Sequence, residues 1–336
     1  MKAKIKLAEG GGGEATARLI KEVFWSRFSN AELLKGNDAA VLDWSSGRLA
    51  VTTDSFVVTP WKFPGGDIGK LAVAGTVNDL TMIGAEPKAL TVSFIIEEGF
   101  ELESLKQVAQ SMADTAAEAG VPIITGDTKV VERGAADGLF INTTGIGLVE
   151  PGINLGGEKA QPEDRVIITG TVGDHGATIL LARGELGISA QISSDAAPLN
   201  RMLFPLIQKF REGLHVMRDP TRGGVAVTLN EIARQSKVSI RLSEAQIPVL
   251  PEITGITDLL GLDPLYLANE GKALIIVAPE VADIIVEHLS RESLGKRAAI
   301  IGIVESENPG LVSVESSNGG VRVLPMGSGE LLPRIC

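Results

Sequence analysis

The chain has 336 residues, of which 44 % are hydrophobic, 22 % are charged and 39 are glycine, so a two-domain α/β protein is expected. Its net charge of −11 argues against nonspecific binding to nucleic acid or to an anionic membrane, and no apolar run approaches the ~20 residues of a membrane span. One cysteine and three scattered histidines exclude an intrachain disulfide and a Cys/His zinc cluster. Because no apolar segment follows the basic N-terminus as in a secretory signal, we expect a cytoplasmic protein.

The first half of the chain places acidic residues where apolar elements are predicted. A glycine run at residues 9–14 is typical of a linker or of a loop that approaches a phosphate, and a helix is predicted over residues 15–28. Asp38 precedes one apolar strand, and Asp54 lies inside another at residues 49–58. A buried carboxylate is costly unless it is paired or binds a metal, so Asp54 is interpreted as functional, with a bend or edge position as the alternative.

Asn78 and Asp79 lie in the second half of a helix predicted over residues 65–84. Because this helix has almost no polar face, the pair needs partners, and either a divalent cation or a mutual hydrogen bond would serve. Pro87 is predicted to close the unit. A strand at 88–96, a helix at 101–119 and a strand at 121–125 follow, and the last runs into Gly126-Asp127-Thr128-Lys129. Ligands of α/β sheets often bind at such strand ends. A strand at 138–149 completes the first domain.

After a linker at residues 150–164, the second half begins with a strand, a glycine-rich turn and a helix at 177–183, where Asp174 is either a ligand or a helix cap. Helices at 199–212 and 223–236 flank a loop in which Arg222 and two glycines form a possible anion site. Glu270 lies between apolar segments, so either a raised pKa or a surface turn is expected. Further predicted elements are strands at 238–242, 273–278, 298–304, 311–314 and 321–324 and a helix at 281–290.

The last eleven residues are rich in Gly and Pro and end in Cys336. Ten extended residues reach on the order of 30 Å, far enough to enter a cleft, although a frayed terminus is the alternative. Neither a Walker A loop nor a GxGxxG turn is present. Acidic groups that hold magnesium around a nucleotide triphosphate would explain the aspartates found at turns and strand ends, which are Asp38, Asp54, Asp79, Asp127, Asp174 and Asp219.

Nine motifs together give the chain a resemblance to a known family. They are Gly36-Asn37-Asp38-Ala39-Ala40, Thr53-Asp54-Ser55, Phe63-Pro64-Gly65-Gly66-Asp67, Val77-Asn78-Asp79-Leu80, Gly126-Asp127-Thr128-Lys129-Val130-Val131, Gly173-Asp174-His175-Gly176, Asp219-Pro220-Thr221-Arg222-Gly223-Gly224, Asn269-Glu270-Gly271-Lys272 and Pro333-Arg334-Ile335-Cys336. Over essentially its whole length the chain resembles the HypE hydrogenase maturation factors. These are carbamoyl dehydratases of the superfamily that includes aminoimidazole ribonucleotide synthetase, thiamine-phosphate kinase and selenophosphate synthetase.

The resemblance implies a reaction. A carbamoyltransferase, HypF, would load Cys336 with a carbamoyl group, and ATP would drive its dehydration to a thiocyanate. The cyanide would reach the iron of a NiFe hydrogenase through a HypC–HypD scaffold. The implied catalytic residues are Cys336, Glu270 as base and Lys129. The implied magnesium ligands are Asp38, Asp54, Asp79 and Asp127. The implied ATP contacts are Asp38, Asp54, Asn78, Gly126, Asp127, Thr128, Asp174 and Arg222.

The resemblance also implies an architecture. Residues 1–150 would form an ATP-binding and dimerisation domain whose sheet closes a barrel across a homodimer, 151–325 an α/β domain, and 326–336 a mobile tail. Two alternatives remain open from the sequence. One is a small-molecule synthetase or kinase of the same superfamily, which would not need Cys336; a selenophosphate synthetase is disfavoured because no cysteine lies near the N-terminus. The other is a non-enzymatic adaptor in which Cys336 ligates a metal.

Overall fold

The structure, a computed structural model, describes residues 4–5, 19–30, 48–184, 186–326 and 334–336. The glycine run at 9–14 and Asp38 lie outside these residues. A short π-helical turn, Ile20–Trp25, continues into Ser26–Phe28 where the sequence predicts a helix. The elements of the first domain then follow in the order β1 Arg48–Phe56, β2 Lys62–Phe63, β3 Gly66–Asp67, α1 Ile68–Met82, β4 Ala85–Glu97, α2 Leu102–Ala119, β5 Ile123–Val131 and β6 Leu139–Val149.

The larger sheet of the first domain has the strand order β1-β6-β4-β5. The β1–β6 and β6–β4 pairs are antiparallel, and β4–β5 is parallel. Every second residue of β6, from Leu139 to Val149, is buried. Because side chains alternate along a strand, one face of the sheet packs on helices while the other is open.

Helix α1 is the centre of the first domain. Asp67 caps its N-terminus, where the carboxylate accepts hydrogen bonds from the backbone N–H groups of Gly69 and Lys70 at 2.8 and 3.0 Å. Nearly every residue of the helix is buried, because it packs on the sheet, on α2 and on the second domain. This burial agrees with the absence of a polar face in its sequence.

The second domain contains a seven-stranded sheet with the order β13-β12-β9-β11-β7-β10-β8, in which only β12 and β9 pair in parallel. Its elements in chain order are β7 Arg165–Ile168, α3 Asp174–Ala182, α4 Asn200–Phe210, β8 Leu214–Arg218, α5 Gly224–Ser236, β9 Ser239–Ser243, α6 Pro251–Leu260, β10 Leu274–Val277, α7 Pro279–Ser290, β11 Ala299–Glu305, β12 Val312–Glu315 and β13 Val321–Val323. Short 3-10 turns occupy Glu244–Gln246 and Pro264–Tyr266.

Two local predictions are wrong. The segment from Gly126 to Lys129 does not follow a strand but lies inside β5, because Val130 and Val131 extend the pairing with β4. Pro87 does not close a unit but lies within β4, where the register with β6 shifts. A proline is tolerated in a strand at such an irregularity.

The helix α6, Pro251–Leu260, was not predicted. Its β-branched residues and Gly255 weaken its helix propensity, so the sequence of this segment gives little indication of a helix. Strands β2, β3 and β8 were not predicted either, and the remaining described elements agree with the predictions to within a few residues at each end.

Candidate active site

Two acidic residues of the first domain face the second domain. Asp54 lies on β1 and Asp79 on α1, where the Thr52 hydroxyl donates a hydrogen bond to Asp79 Oδ2 at 2.8 Å. Arg222 of the second domain places Nη2 3.7 Å from Asp54 Oδ1. Burial raises the pKa of both carboxyls, and the charge of Asp54 adds to the effect at Asp79. The structure therefore brings the two acids and Arg222 together.

Asp219 and Glu270 bring two more carboxyls to the same place from the second domain. Burial, followed by the charge of Asp79, raises the pKa of Asp219 to about 7. Burial also raises the pKa of Glu270 well above its ordinary value, and Asp219, Asp195, Asp54 and Asp79 add to it. Glu270 Oε1 is buried without a hydrogen-bond partner. Four carboxyls in one place favour a bound proton or cation.

A buried aspartate that sequence reasoning missed fixes the loop of Glu270. Asp195 accepts hydrogen bonds from the backbone N–H groups of Glu270 and Gly271, both at 3.1 Å, and from Lys272 Nζ at 3.2 Å. A Cβ at Gly271 would lie 1.9 Å from the Asp195 carbonyl oxygen, so only glycine fits. Burial opposes the charge of Asp195, but the charge of Lys272 and the backbone hydrogen bond from Glu270 act against it, and the pKa of the carboxyl is lowered. The residue lies in a Ser-Ser-Asp loop segment with no recognisable motif.

Asp174 adjoins this loop and does not cap its helix through its side chain. Gly173 is the N-cap residue, and Asp174 lies in the first turn of α3, so the cap interpretation is wrong. Its Oδ2 accepts a hydrogen bond from the Thr171 hydroxyl and lies 3.5 Å from Lys272 Nζ, whereas its Oδ1 is buried without a partner. An unsatisfied buried acceptor is consistent with a site for a ligand.

Asn78, for which a cofactor contact is predicted, makes hydrogen bonds between the two domains. Its Nδ2 donates to the carbonyl oxygens of Ala197 and Glu270 at 3.0 and 3.3 Å, and its Oδ1 accepts from the N–H of Leu199 at 2.8 Å. The side chain is fully buried. Both amide hydrogens are used, and all three partners belong to the second domain. Asn78 therefore joins the two domains, and its predicted contact with a cofactor stays a prediction.

The structure does not bring Asp127 and Lys129 together with these acids in one chain. Residues that lie opposite one another on β5, β4, β6 and β1 form a row from Asp127 through Ser93 to Ser55. Side chains in one row lie on the same face of the sheet, so Asp127 lies on the face of Ser55, and Asp54, the residue before Ser55, lies on the other face. Both Asp127 and Lys129 are exposed, and Lys129 Nζ lies 2.9 Å from Asp127 Oδ1. The charge of Lys129 lowers the pKa of Asp127. The predicted metal ligands are Asp38, Asp54, Asp79 and Asp127. Asp38 lies outside the described residues, and Asp127 does not join Asp54 and Asp79 within one chain.

Two neighbours of Asp127 that were predicted to contact the cofactor have packing roles. A Cβ at Gly126 would lie 2.6 Å from the carbonyl oxygen of Val92, so glycine allows the close approach of β4 and β5. Thr128 is buried on the helix-covered face of the sheet. Both residues lie on the face of the sheet that carries Asp54, but at the opposite edge, because β1 and β5 are the two outer strands.

The last three residues of the chain lie against the first domain. Ile335 is buried, and Cys336 packs beside it on the first-domain core. The backbone N–H groups of Val57 and Thr59 donate to the carbonyl oxygens of Cys336 and Arg334 at 3.0 and 3.4 Å. The predicted hinge at residues 326–329 lies almost wholly outside the described residues.

Two features are absent from the described part of the chain. No group of three or more His, Cys, Asp or Glu side chains there is arranged to hold a metal ion. No helix in the same residues combines the length and the apolar character that a membrane span requires.

Comparison with known proteins gives a consistent picture. Residues 36–149 match the family "AIR synthase related protein, N-terminal domain", and residues 161–314 match the corresponding C-terminal domain. The carbamoyl dehydratase HypE of Bradyrhizobium diazoefficiens is 50 % identical over 332 residues, which is 99 % of this chain and 96 % of that protein. The HypE of Rhizobium leguminosarum bv. viciae is 48 % identical over 333 residues, covering 99 % and 95 %.

Solved structures agree. The crystal structure of a HypE in complex with ATP has a TM-score of 0.95 at 48 % identity and covers 98 % of this chain and 99 % of that one. A HypE–HypF complex has a TM-score of 0.81 at 47 % identity, with 91 % and 99 % covered. The thiamine-monophosphate kinase of Stenotrophomonas maltophilia K279a, at 20 % identity and a TM-score of 0.64 over 94 % and 99 %, shows the fold alone. The predicted two-domain α/β fold of the aminoimidazole ribonucleotide synthetase type is confirmed.

Proposed function

This chain belongs to the HypE family of carbamoyl dehydratases, and from this we propose that it dehydrates an S-carbamoyl group on its own Cys336 to a thiocyanate in an ATP-dependent reaction. The cyanide would become a ligand of the iron in a NiFe hydrogenase. The observation that carries the proposal is the docking of Arg334–Cys336 on the first domain, with Ile335 buried and the Cys336 carbonyl bonded to the N–H of Val57. With the chain end docked, a carbamoyl group carried by the Cys336 thiol can reach the candidate active site of the same chain.

The chemistry defines what the site must supply. A carbamoyl thioester, S–C(=O)–NH₂, becomes S–C≡N when the oxygen leaves and the nitrogen gives up two protons. ATP, when bound, would supply the phosphoryl group that turns the oxygen into a leaving group. The proton acceptor must be a positioned base, and we assign Glu270 to this role. Its raised pKa makes the ionised carboxylate a stronger base than an exposed glutamate.

The residues present fit a divalent cation in part. Asp54 and Asp79 supply carboxylate oxygens of the kind that magnesium prefers, near Glu270, whose Oε1 has no hydrogen-bond partner. Asp38, the other predicted ligand, lies outside the described residues, and Asp127 does not reach this place within one chain. We therefore assign Asp54 and Asp79 to magnesium. Arg222 and Asp174 are candidates for contacts with the nucleotide. ATP binding is supported by the relative solved with ATP.

We further propose a homodimer that forms through the open face of the first sheet. Leu49, Val51 and Ile95 expose 58, 61 and 44 % of their surface on this face, which is more apolar area than a solvated sheet needs. A partner sheet would cover these residues and protect the outer strands β1 and β5. Asp127 and Lys129 lie on the same face, so the proposed catalytic role of Lys129 depends on this dimer.

The partners follow from the family. A solved HypE–HypF complex supports a carbamoyltransferase of the HypF kind as the donor of the carbamoyl group. Delivery of cyanide through a HypC–HypD scaffold, a cytoplasmic location and the domain boundaries 1–150, 151–325 and 326–336 stay predictions.

The test is the mass of the C-terminal peptide after incubation with a HypF-type carbamoyltransferase and carbamoyl phosphate, with and without ATP and magnesium. We expect a carbamoyl adduct on Cys336 that loses one water only when ATP is present. Glu270→Gln should keep the adduct and slow the water loss by about 10²–10⁴-fold. Cys336→Ala should take no adduct. An unmodified Cys336 in a protein that turns over ATP on a free metabolite would contradict the proposal.

A further inference from the structure

The docked chain end is held mainly through its backbone. Besides the bonds from Val57 and Thr59, Arg183 Nη2 donates to the carbonyl oxygen of Arg334 at 3.1 Å. Arg334 itself has a positive φ of 53°, which is costly for a residue with a Cβ. Its Nε donates to the Val57 carbonyl oxygen at 2.8 Å, and its guanidinium pairs with Asp137. These contacts stabilise a conformation that the isolated peptide would avoid.

The remaining carbonyl, that of Ile335, is bound by a residue to which the proposed chemistry gives no role. His175 Nε2 lies 2.7 Å from the Ile335 carbonyl oxygen, and His175 Nδ1 lies 2.7 Å from Ser194 Oγ. His175 is completely buried, and the ring of Phe63 lies edge-on to it at 5.4 Å between centroids. From the sequence motif Gly173–Gly176, only Asp174 was predicted to have a functional role, and His175 was not.

The hydrogen-bond partners define the form of the imidazole. A carbonyl oxygen only accepts, so Nε2 must carry the hydrogen that faces Ile335. In the neutral ring Nδ1 then accepts from the Ser194 hydroxyl, whose oxygen also accepts from the N–H of Ala196 at 3.1 Å. Burial lowers the pKa of His175 and favours this neutral form. The chain Ala196, Ser194, His175, Ile335 is thus fully satisfied and sets the ring in one orientation.

We infer that His175 is a positioning residue, which binds the Ile335 carbonyl and thereby seats Cys336 for the dehydration step but not for the loading step. This inference rests on the proposed function. Loading requires that a second enzyme reaches Cys336, so it proceeds from the undocked chain end. Dehydration requires the docked one. Removal of the His175 hydrogen bond therefore lowers the docked fraction and separates the two steps.

The test compares His175→Leu with His175→Gln in the full-length protein. Leucine removes the donor, whereas glutamine keeps an N–H at a similar reach. Ser194→Ala removes the partner that orients the ring, together with the acceptor of the Ala196 N–H. His288→Leu on α7 is a control in another part of the second domain. Because Cys336 is the only cysteine in the chain, the rate of its alkylation by a small thiol reagent reports docking without any enzymatic activity.

We expect His175→Leu to raise the alkylation rate and to lower the single-turnover dehydration rate, each by about five- to tenfold, the factor that corresponds to one lost hydrogen bond. Carbamoyl loading should keep the wild-type rate. In His175→Gln the alkylation and dehydration rates should return most of the way to the wild-type values, and His288→Leu should change neither rate. If His175→Leu does not fold, Ser194→Ala should show the same changes at smaller size.

Alkylation at the wild-type rate in every folded His175 and Ser194 variant would overturn the inference, as would an equal loss of loading and dehydration. Failure of the proposed function has a different signature. In that case the wild-type protein shows no water loss at all, while the alkylation rates still decide whether His175 holds the chain end.

Discussion

Glu270 occupies a position where its charged form is unfavourable. Its pKa is raised from the ordinary 4.5 by burial and by four acidic neighbours, so the folded protein binds a proton that the unfolded chain releases. Between pH 4.5 and the raised pKa, stability therefore falls as the pH rises. Glu270→Gln imitates the neutral form, so we expect its melting temperature to equal the wild-type value near pH 4.5 and to exceed it at pH 8.

Thermal unfolding measured from pH 4.5 to 8 checks this expectation. Glu252→Gln, on the exposed side of α6, is the matched control and should follow the wild-type curve. A Glu270→Gln protein that is less stable than the wild type at pH 8 would show that the carboxylate is stabilised in its ionised form.

His175 has the opposite pH dependence. Burial lowers its pKa from 6.5, although the charge of Asp195 acts against this shift, so the unfolded chain takes up a proton before the folded protein does. The stability that His175 contributes is present above pH 6.5 and is lost as the pH falls. We expect the difference in melting temperature between wild type and His175→Gln to shrink from pH 8 to pH 5. A difference that stays constant would mean that titration of His175 does not affect stability.

Individual residues show what a sequence can indicate about a site. The apolar surroundings of Glu270 left a raised pKa and a surface turn as alternatives, and the structure excludes the surface turn because the side chain is buried. Asn78 was recognised as a buried amide, but no local pattern could show that its partners lie more than a hundred residues away. Asp195 was missed for the same reason, since its role comes from the backbone N–H groups of a distant loop.

At the scale of elements, the contact of α1 with α2 sets a steric limit. A Cβ at Gly69 would lie 2.5 Å from the carbonyl oxygen of Val108 and 2.8 Å from Met112 Cγ. Gly69→Ala should therefore destabilise the protein by about 1–3 kcal/mol, the usual cost of overpacking, even though alanine favours a helix. Denaturant unfolding measures this change.

Gly255 on α6 is the matched control for Gly69. A Cβ there would meet no atom within 4 Å, so Gly255→Ala should raise stability by about 0.5–1 kcal/mol through helix propensity alone. Equal effects of the two substitutions would show that the α1–α2 contact adapts to the added methyl group.

Strand β5 shows why the position of a motif along an element matters for its function. The glycine of Gly126-Asp127-Thr128-Lys129 predicted a loop at a strand end, because glycine is a common turn residue. Instead Gly126 allows β4 and β5 to lie close together, and the strand continues. Alternation then directs Asp127 and Lys129 to the open face. The alternation along one strand shows that Asp127 and Lys129 share a face, but only the register with the neighbouring strand shows which face of the sheet it is.

For the whole molecule, the open sheet face predicts an assembly that one substitution should disrupt. Val51→Glu places a charge in the centre of the proposed contact, where a second copy would bury it without a partner. We expect the protein to sediment as a dimer and the variant as a monomer in analytical ultracentrifugation. Leu259→Glu, which replaces a residue that is 69 % exposed on α6, should remain a dimer. A dimeric Val51→Glu protein would exclude this face as the interface.

The contact of Asn78 with the second domain has a consequence for how such proteins evolve. All three of its partners, Ala197, Leu199 and Glu270, contribute main-chain atoms, which every residue type provides. The side chains of the second domain can therefore diverge without loss of this contact. Recombination that exchanges whole second domains between relatives should then yield folded hybrids wherever the asparagine and the course of the two partner loops are kept.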